Sequence, residues 1–492
     1  AAQLCHPGSW QLELWRRKDQ AALSGGLADR EFGHCSKTLR PGESLESPEA
    51  WLTCTAGTFD DACERLKTLH RVALRNLPRA ERGLPVVFNE WCTSWGTPTH
   101  DNLIALADRL KGTGVRYLVI DDGWAERPGG GIQQNGDWNV NRRAFPHGLK
   151  ATCDALRARG LVPGIWFEFE VVNAGSKAWN ETRHLLHRDG QVLEVGNRRF
   201  WDFRDPWVHA YLHRKVTGLL RRSGFGYLKV DYNDTLGLGV DGAESPGEGL
   251  RAHLAGVQRF FRELRRRLPD LVIENCSSGG HRQEPSMIGL TAMSSFSDAH
   301  ETPDIPIIAA NLHRVMPPRQ SQIWAVLRSG DTLARLSYSL AAGFLGRLCL
   351  SGELPALNPA QDAFVRAALR CYQRQAGLIS DARFVRTHEA GPSWQHPQGL
   401  QIVRADATDG DRVLIVWHTF ADTPREAWVG LPPGRWQLDD QLAARAPGLR
   451  FGQRGVRLTA LTAWSGGVVV LRRRKPPQPR SPVRQEPQLK RS

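Results

Sequence analysis

GYLKVDYND, residues 226 to 234, begins as a β-strand and ends as something else. Tyr, Leu and Val suit a pleated, buried strand, yet Lys229, Asp231 and Asn233 gather at its C-terminal end. Lys229 and Asp231 stand two positions apart, so they share one face of the strand. Either the chain is turning a corner here, or the strand presents chemistry.

The same pattern recurs on both sides. From LPVVFNEW (84–91) onward, short apolar runs alternate with amphipathic helical stretches, the mark of a parallel sheet with helical crossovers. Eight candidate strands follow: 86–91, 116–124, 162–170, 199–203, 225–231, 271–280, 291–298 and 346–352. Eight is the number for a closed (β/α)8 barrel. HDNLIALADRLKGTG (100–114) and DPWVHAYLHRKVTGLLRRSG (205–224), with polar starts and glycine stops, fit the crossover helices.

The expected fold class is therefore α/β, a TIM barrel over residues 84–380. Residues 1–83 hold turn-rich, strand-like pieces and a helical stretch (60–74), and read as the remnant of an N-terminal β-domain. Residues 381–474, with LQIVRA, RVLIVWH and GGVVVLRR between Gly and Pro turns, predict a C-terminal antiparallel β-sandwich domain. The Pro-, Arg- and Gln-rich tail, 475–492, reads as disordered.

Composition narrows the function. The 492 residues are 41% hydrophobic and carry 17 Trp against 6 Tyr, which suits a globular protein with indole-lined clefts. A formal charge of +14 would favour nucleic acid, but the basic residues are scattered along helices and in the tail, without a recognition motif. No nucleic-acid partner is expected. The nine cysteines form no CxxC pair, so neither zinc nor a disulfide scaffold is indicated. A reducing, cytoplasmic location fits. No apolar run reaches the roughly 20 residues of a membrane span, so no membrane partner is expected either.

In a barrel the strand ends converge on one face, and here they end in acids: Glu90, Asp121, Asp122, Glu168, Glu170, Asp202, Asp231, Glu274 and Asp298. Three readings compete: a divalent-metal site, a hydrolase with paired carboxylates, or acids tied up in structural hydrogen bonds. Trp91, Trp95, Trp124 and Trp166 alternate with the acids. Flat indoles stack on sugar C–H faces while carboxylates hold vicinal hydroxyls, so carbohydrate chemistry accounts for the mixture and no metal or organic cofactor is called for.

LVIDDGW, GDWNVNRRAFPHGL, GIWFEFE, LKVDYN, IENCSSGG and FSD occur in this order. Together they resemble the α-galactosidases of glycoside hydrolase family 36, over about residues 84–352. The resemblance implies a retaining exo-α-galactosidase acting on oligosaccharides, with Asp231 as nucleophile and Asp298 as general acid/base, about 5 to 5.5 Å apart. It assigns Asp121 and Asp122 to the galactose O4 and O6 hydroxyls and Trp166 to packing against the ring. Asn233 is expected to reach the hydroxyl next to the bond being cut. Lys229 would keep Asp231 ionised and bind a hydroxyl. Cys276 and Gly279 are expected beside O2, where small residues favour galactose over N-acetylgalactosamine. Arg198 or Arg199 is a further candidate for a hydroxyl contact. Homo-oligomers are common in the family, so self-association is an expectation.

The chain departs from the family pattern at Val230, at Tyr232-Asn233-Asp234, at Phe169 and in the segment after Asp298, where Glu301 is the candidate second acid. Only the last portion of the family's N-terminal β-sandwich fits into 83 residues. The rival readings are an α-N-acetylgalactosaminidase, a transglycosidase of the raffinose-synthase kind, and an impaired fragment that binds sugar without turnover.

Overall fold

A computed structural model describes residues 1–74, 77–127, 134–299, 303–391 and 395–474. The basic tail and Glu301 lie outside the described residues. Eight parallel strands close into a barrel in chain order. They are β1 (Val86–Asn89), β2 (Val115–Ile120), β3 (Val162–Phe167), β4 (Tyr227–Val230), β5 (Val272–Asn275), β6 (Met293–Ser295), β7 (Ser321–Leu327) and β8 (Arg347–Gly352). In this register Lys229 sits opposite Trp166 on β3 and Glu274 on β5. Closure leaves no edge, and β8 pairs back onto β1 through Cys349 and Val87.

One expected strand is wrong. Residues 199–203 are not in the barrel: Arg198–Phe200 pairs antiparallel with Val171–Asn173 and with Glu194–Val195, in a three-stranded sheet inserted after β3. The missing member is β7, SQIWAVL, buried along its whole length. Its Ser and Gln look like loop residues, but the barrel interior satisfies the amide. Gln322 Nε2 donates to Glu274 at 3.0 Å and Tyr227 O–H donates to Gln322 Oε1 at 3.2 Å.

The crossover helices begin where the chain supplies caps. Thr99 Oγ1 accepts from Asn102 N–H ahead of helix His100–Leu110, and Asp205 accepts from Trp207 N–H ahead of Pro206–Leu212. Opposite the site, at the N-terminal mouth of the barrel, Glu81 pairs with Arg347, both fully buried, and also accepts from Tyr117 O–H at 2.6 Å.

Five antiparallel strands (383–388, 400–406, 412–419, 466–473, 436–443) and three more (426–430, 455–459, 448–452) make up the C-terminal region. Val413, Ile415 and Trp417 pack between these two sheets, whereas Leu414 and Val416 join the core of the barrel. That is why RVLIVWH is an unbroken apolar run: both faces of the strand are covered.

Before the barrel, Ala2–Leu4 pairs with Ala50–Leu52, and Trp10–Arg17 with Gln20–Leu27. Helix Phe59–Leu74 follows. Its Asp60 accepts from Arg314 Nε at 2.6 Å and from Arg386 N–H at 3.0 Å, which ties this segment to the barrel and to the first strand of the sandwich. Among the described residues, no helix is long and apolar enough to cross a membrane.

Candidate active site

At the C-terminal ends of the barrel strands lies a cavity of about 740 Å³. Asp231 follows β4 directly and lines its floor. The Asp231 main-chain N–H still donates to Phe167 O of β3 at 2.8 Å, so the strand pairing that fixes Lys229 also fixes the carboxylate. Three donors converge on that carboxylate. Oδ1 accepts from Tyr232 N–H at 2.8 Å and from Ser278 N–H at 2.9 Å, and Oδ2 accepts from the Trp166 indole at 3.0 Å. Burial pushes the Asp231 carboxyl up, but Lys229 and these donors outweigh it and hold it below the ordinary carboxylate value.

Lys229 Nζ donates to Asp121 Oδ2 at 2.8 Å, and both side chains are buried. Burial alone would strip the ammonium of its proton; Asp121, Glu274 and Asp231 around it reverse the balance and raise its pKa well above normal. The lysine therefore serves Asp121 by a hydrogen bond and Asp231 by its field. Asn89 Nδ2 gives Asp121 a second donor at 2.6 Å. Asp122, one residue on, donates its N–H to Asp121 Oδ1 and accepts from Arg127 at 3.1 Å. Its carboxyl is pushed up to about 6 by burial, against Arg127 and with Asp121 adding to the rise.

So many carboxyls cannot all be ionised in one dry pocket. Burial favours the protonated form most at two of them. Burial raises Glu90 to about 8, with Asp121 and Asp122 adding to it; burial likewise raises Glu168 to about 8 despite Arg198. Glu168 accepts from Asn233 N–H at 2.7 Å and from Asn135 Nδ2 at 3.1 Å, and Arg198 lies 3.4 Å away. Arg198 also reaches Asp234 at 2.5 Å. Of the two arginines offered by the sequence, Arg198 is the one at the cavity; Arg199 stacks over Trp179 instead.

Asp121, Asp122, Trp166, Lys229, Asp231, Asn233 and Asp298 all line this one cavity. Cys276 and Gly279 do not. The Cys276 thiol is sealed in the barrel wall, its pKa raised by burial and by nearby Asp231. At Gly279 the room a side chain would take is filled by the peptide joining Ser297 to Asp298, not by open cavity. Of the other acids, Glu170 forms a bidentate pair with Arg282, Asp202 pairs with Arg204, and Glu274 is buried beneath the site against Gln322. Trp124 is fully buried, its indole donating to Trp166 O at 2.8 Å, while Trp91 and Trp95 do wall the cavity.

Asn135, Asn173, Glu168 and Arg127 also line it. Asn135, just ahead of GDWNVNRR, and the Asn of VVN carry no chemical signal of their own; only convergence in space brings them to the site. Among the described residues, no group of three or more His, Cys, Asp or Glu is arranged to hold a metal ion.

A parallel barrel that gathers carboxylates and indoles at its C-terminal mouth has the architecture of a glycoside hydrolase. Residues 44–318, more than half of the chain, match the melibiase family model, and the chain belongs to that family, glycoside hydrolase family 36. Alpha-galactosidase 2 of Pediococcus pentosaceus is 27% identical over 376 residues, covering 75% of this chain and 51% of that protein. Alpha-galactosidase AgaA of Geobacillus stearothermophilus is 26% identical over 273 residues, 54% of this chain and 37% of its own length. The chain thus spans about half or less of these curated relatives.

Among solved structures, a variant of AgaA in complex with raffinose superposes with a TM-score of 0.82 at 19% identity, covering 96% of this chain and 67% of the other. The alpha-galactosidase of Lactobacillus brevis gives 0.83 at 18%, covering 98% and 67%. At such identities the likeness shows the shared fold.

Proposed function

We propose that this chain is a retaining exo-α-galactosidase that removes terminal α-linked galactose from oligosaccharides. The observation that carries the reading is the state of Asp231: a buried carboxylate kept charged by Lys229 and three donors, on the floor of a cavity that Asp298 also lines. Family membership and relatives named alpha-galactosidases support the reaction class, and the AgaA complex with raffinose supports the kind of substrate.

In the first step an Asp231 oxygen attacks the anomeric carbon. The bond from that carbon to the leaving oxygen breaks, and Asp298 gives that oxygen its proton. In the second step Asp298, now ionised, takes a proton from water. The water oxygen attacks the anomeric carbon and the galactosyl–Asp231 ester is cleaved. Asp121 and Asp122 accept from the O4 and O6 hydroxyls, Lys229 and Asn233 bind further hydroxyls, and Trp166 walls the ring. An axial O4 held by a carboxylate selects galactose over glucose, because the equatorial epimer carries its hydroxyl away from that acceptor. The nine cysteines, all unpaired, support a reducing, cytoplasmic setting.

The test is hydrolysis of 4-nitrophenyl α-galactoside by the full chain, with NMR on the first product. We expect α-galactose first, and for Asp231→Asn a loss of at least about a thousandfold, the scale of removing a nucleophile. β-Galactose first, or an undiminished Asp231→Asn variant, would overturn the reading.

A further inference from the structure

One short turn touches both ends of the proposed chemistry. After β5, Cys276 N–H donates to Val230 O at 2.8 Å, which pins the chain beside the strand that carries Asp231. The next residues run with positive φ: 56° at Ser277, 52° at Ser278 and 68° at Gly279. Two successive serines in the left-handed region are disfavoured, since each carries a Cβ, and such strain persists only where the surroundings over-determine it.

Here the distortion has two results. It aims the Ser278 N–H at Asp231 Oδ1, 2.9 Å away. It also lays Gly279 against the peptide that bears Asp298, where an added Cβ would stand 2.3 Å from Ser297 C and 2.4 Å from Asp298 N. Both are backbone atoms, which cannot swing aside as the tip of a side chain would. Gly280 repeats the contact one step along, its Cβ position being 2.6 Å from Phe296 O. The flanks of the turn are tied to β6 as well: Asn275 Nδ2 donates to Ser294 Oγ at 3.0 Å and Gln283 Nε2 to Ser295 O at 3.2 Å. β6 itself ends at Ser295, so Asp298, which is exposed, lies beyond strand pairing.

We propose that the turn 277–280 is the spacer that sets the gap between the nucleophile and the proton donor, with Gly279 as its positioning residue. The inference rests on the roles given above to Asp231 and Asp298. A methyl group at 279 collides with the backbone of segment 296–298, and the spacer role predicts that this segment yields, by on the order of 1 Å. Asp231 keeps its place through three bonds outside the turn: its own N–H to Phe167 O, and the donors Tyr232 N–H and Trp166.

Misplacing the donor alone has a recognisable kinetic signature. A substrate whose leaving group departs without protonation is scarcely affected in the first step, whereas one with a basic leaving group is slowed. Gly279→Ala is therefore compared with wild type on 2,4-dinitrophenyl and methyl α-galactosides, with Asp298→Ala as reference. We expect a loss of about a hundredfold on the methyl glycoside, a much smaller loss on the activated one, and partial rescue of the latter by azide, which needs no general base. A crystal structure of Gly279→Ala should show residues 296–298 displaced and Asp231 unmoved.

Equal losses on both substrates, no loss on either, or an unmoved segment 296–298 would overturn the spacer. If Gly279→Ala does not fold, Ser278→Gly, which accepts φ 52° freely, slackens the same turn. It should show the same split at several-fold amplitude, and equal or absent effects would overturn the proposal. If wild type turns over no α-galactoside at all, the proposed function falls, and the crystallographic displacement alone decides the spacer.

Discussion

Asp231 stays charged because the Lys229 ammonium lies near it and three oriented donors, two from the backbone and one from an indole, hold its oxygens. Trp166 is thus more than a wall for the sugar. In Trp166→Phe the flat face remains and the N–H is gone. A hydrogen bond to a charged group contributes about 1.5–3 kcal/mol, so kcat/KM should fall roughly tenfold or more. The sign of the pH effect follows from the same bond. Removing a donor to the ionised form raises the Asp231 pKa, so the acid limb of the pH–rate profile should move to higher pH. A limb that stays in place, measured on an aryl galactoside from pH 3 to 7, would remove Trp166 from this role.

The strand-end acids were legible at this scale because a barrel converts distant positions into neighbours. Ser278 was not, because its contribution is a backbone N–H and no side-chain identity reports where an amide points. Arg198 was offered only as one of two, since an inserted sheet sets its register and neither spacing nor charge does.

At the scale of elements, seven of the eight barrel strands could be read from their apolar runs. β7 could not, because its leading Ser and Gln are polar residues that only the enclosed barrel interior accommodates. A two-residue alternation is no guide where both sides of a strand are dry. The same enclosure makes the N-terminal mouth dependent on one ion pair. In Glu81→Ala, Arg347 would be left buried and uncompensated, a cost of about 3–5 kcal/mol. The melting temperature should fall by roughly 3–5 °C, as scanning calorimetry would show. Glu81→Leu with Arg347→Met should recover most of the loss, since replacing both partners leaves no orphaned charge. Galactoside turnover by the folded fraction should be unchanged, because the pair lies at the opposite end of the barrel from the cavity.

For the whole molecule, pH acts through histidines buried without charge. His418 lies under the sandwich, its Nε2 3.1 Å from Tyr338 O on helix Leu333–Ala342. Burial lowers it to about 4 despite that carbonyl. Between pH 6.5 and 4 the unfolded chain therefore binds a proton that the folded chain refuses. Stability present above pH 6.5 is lost as pH falls through this window, by on the order of 3 kcal/mol from this residue. His418→Gln should flatten the dependence of unfolding free energy on pH across the same window, measured by denaturant titration. An unchanged slope would mean that His418 does not contribute. The overall plan of β-segment, barrel and β-sheets was readable from composition shifts along the chain, since each layer has its own hydrophobic period. How the layers adhere was not, because the contacts join positions hundreds of residues apart, as Asp60 does with Arg314 and Arg386.

Strand 412–419 gives alternate side chains to the sandwich and to the barrel. A module glued along such a surface cannot be inherited, exchanged or trimmed as a free-standing piece. Severed from its neighbour it would carry a greasy flank into solvent, and the neighbour would be left with a matching scar. Melting should therefore take both layers apart in a single event.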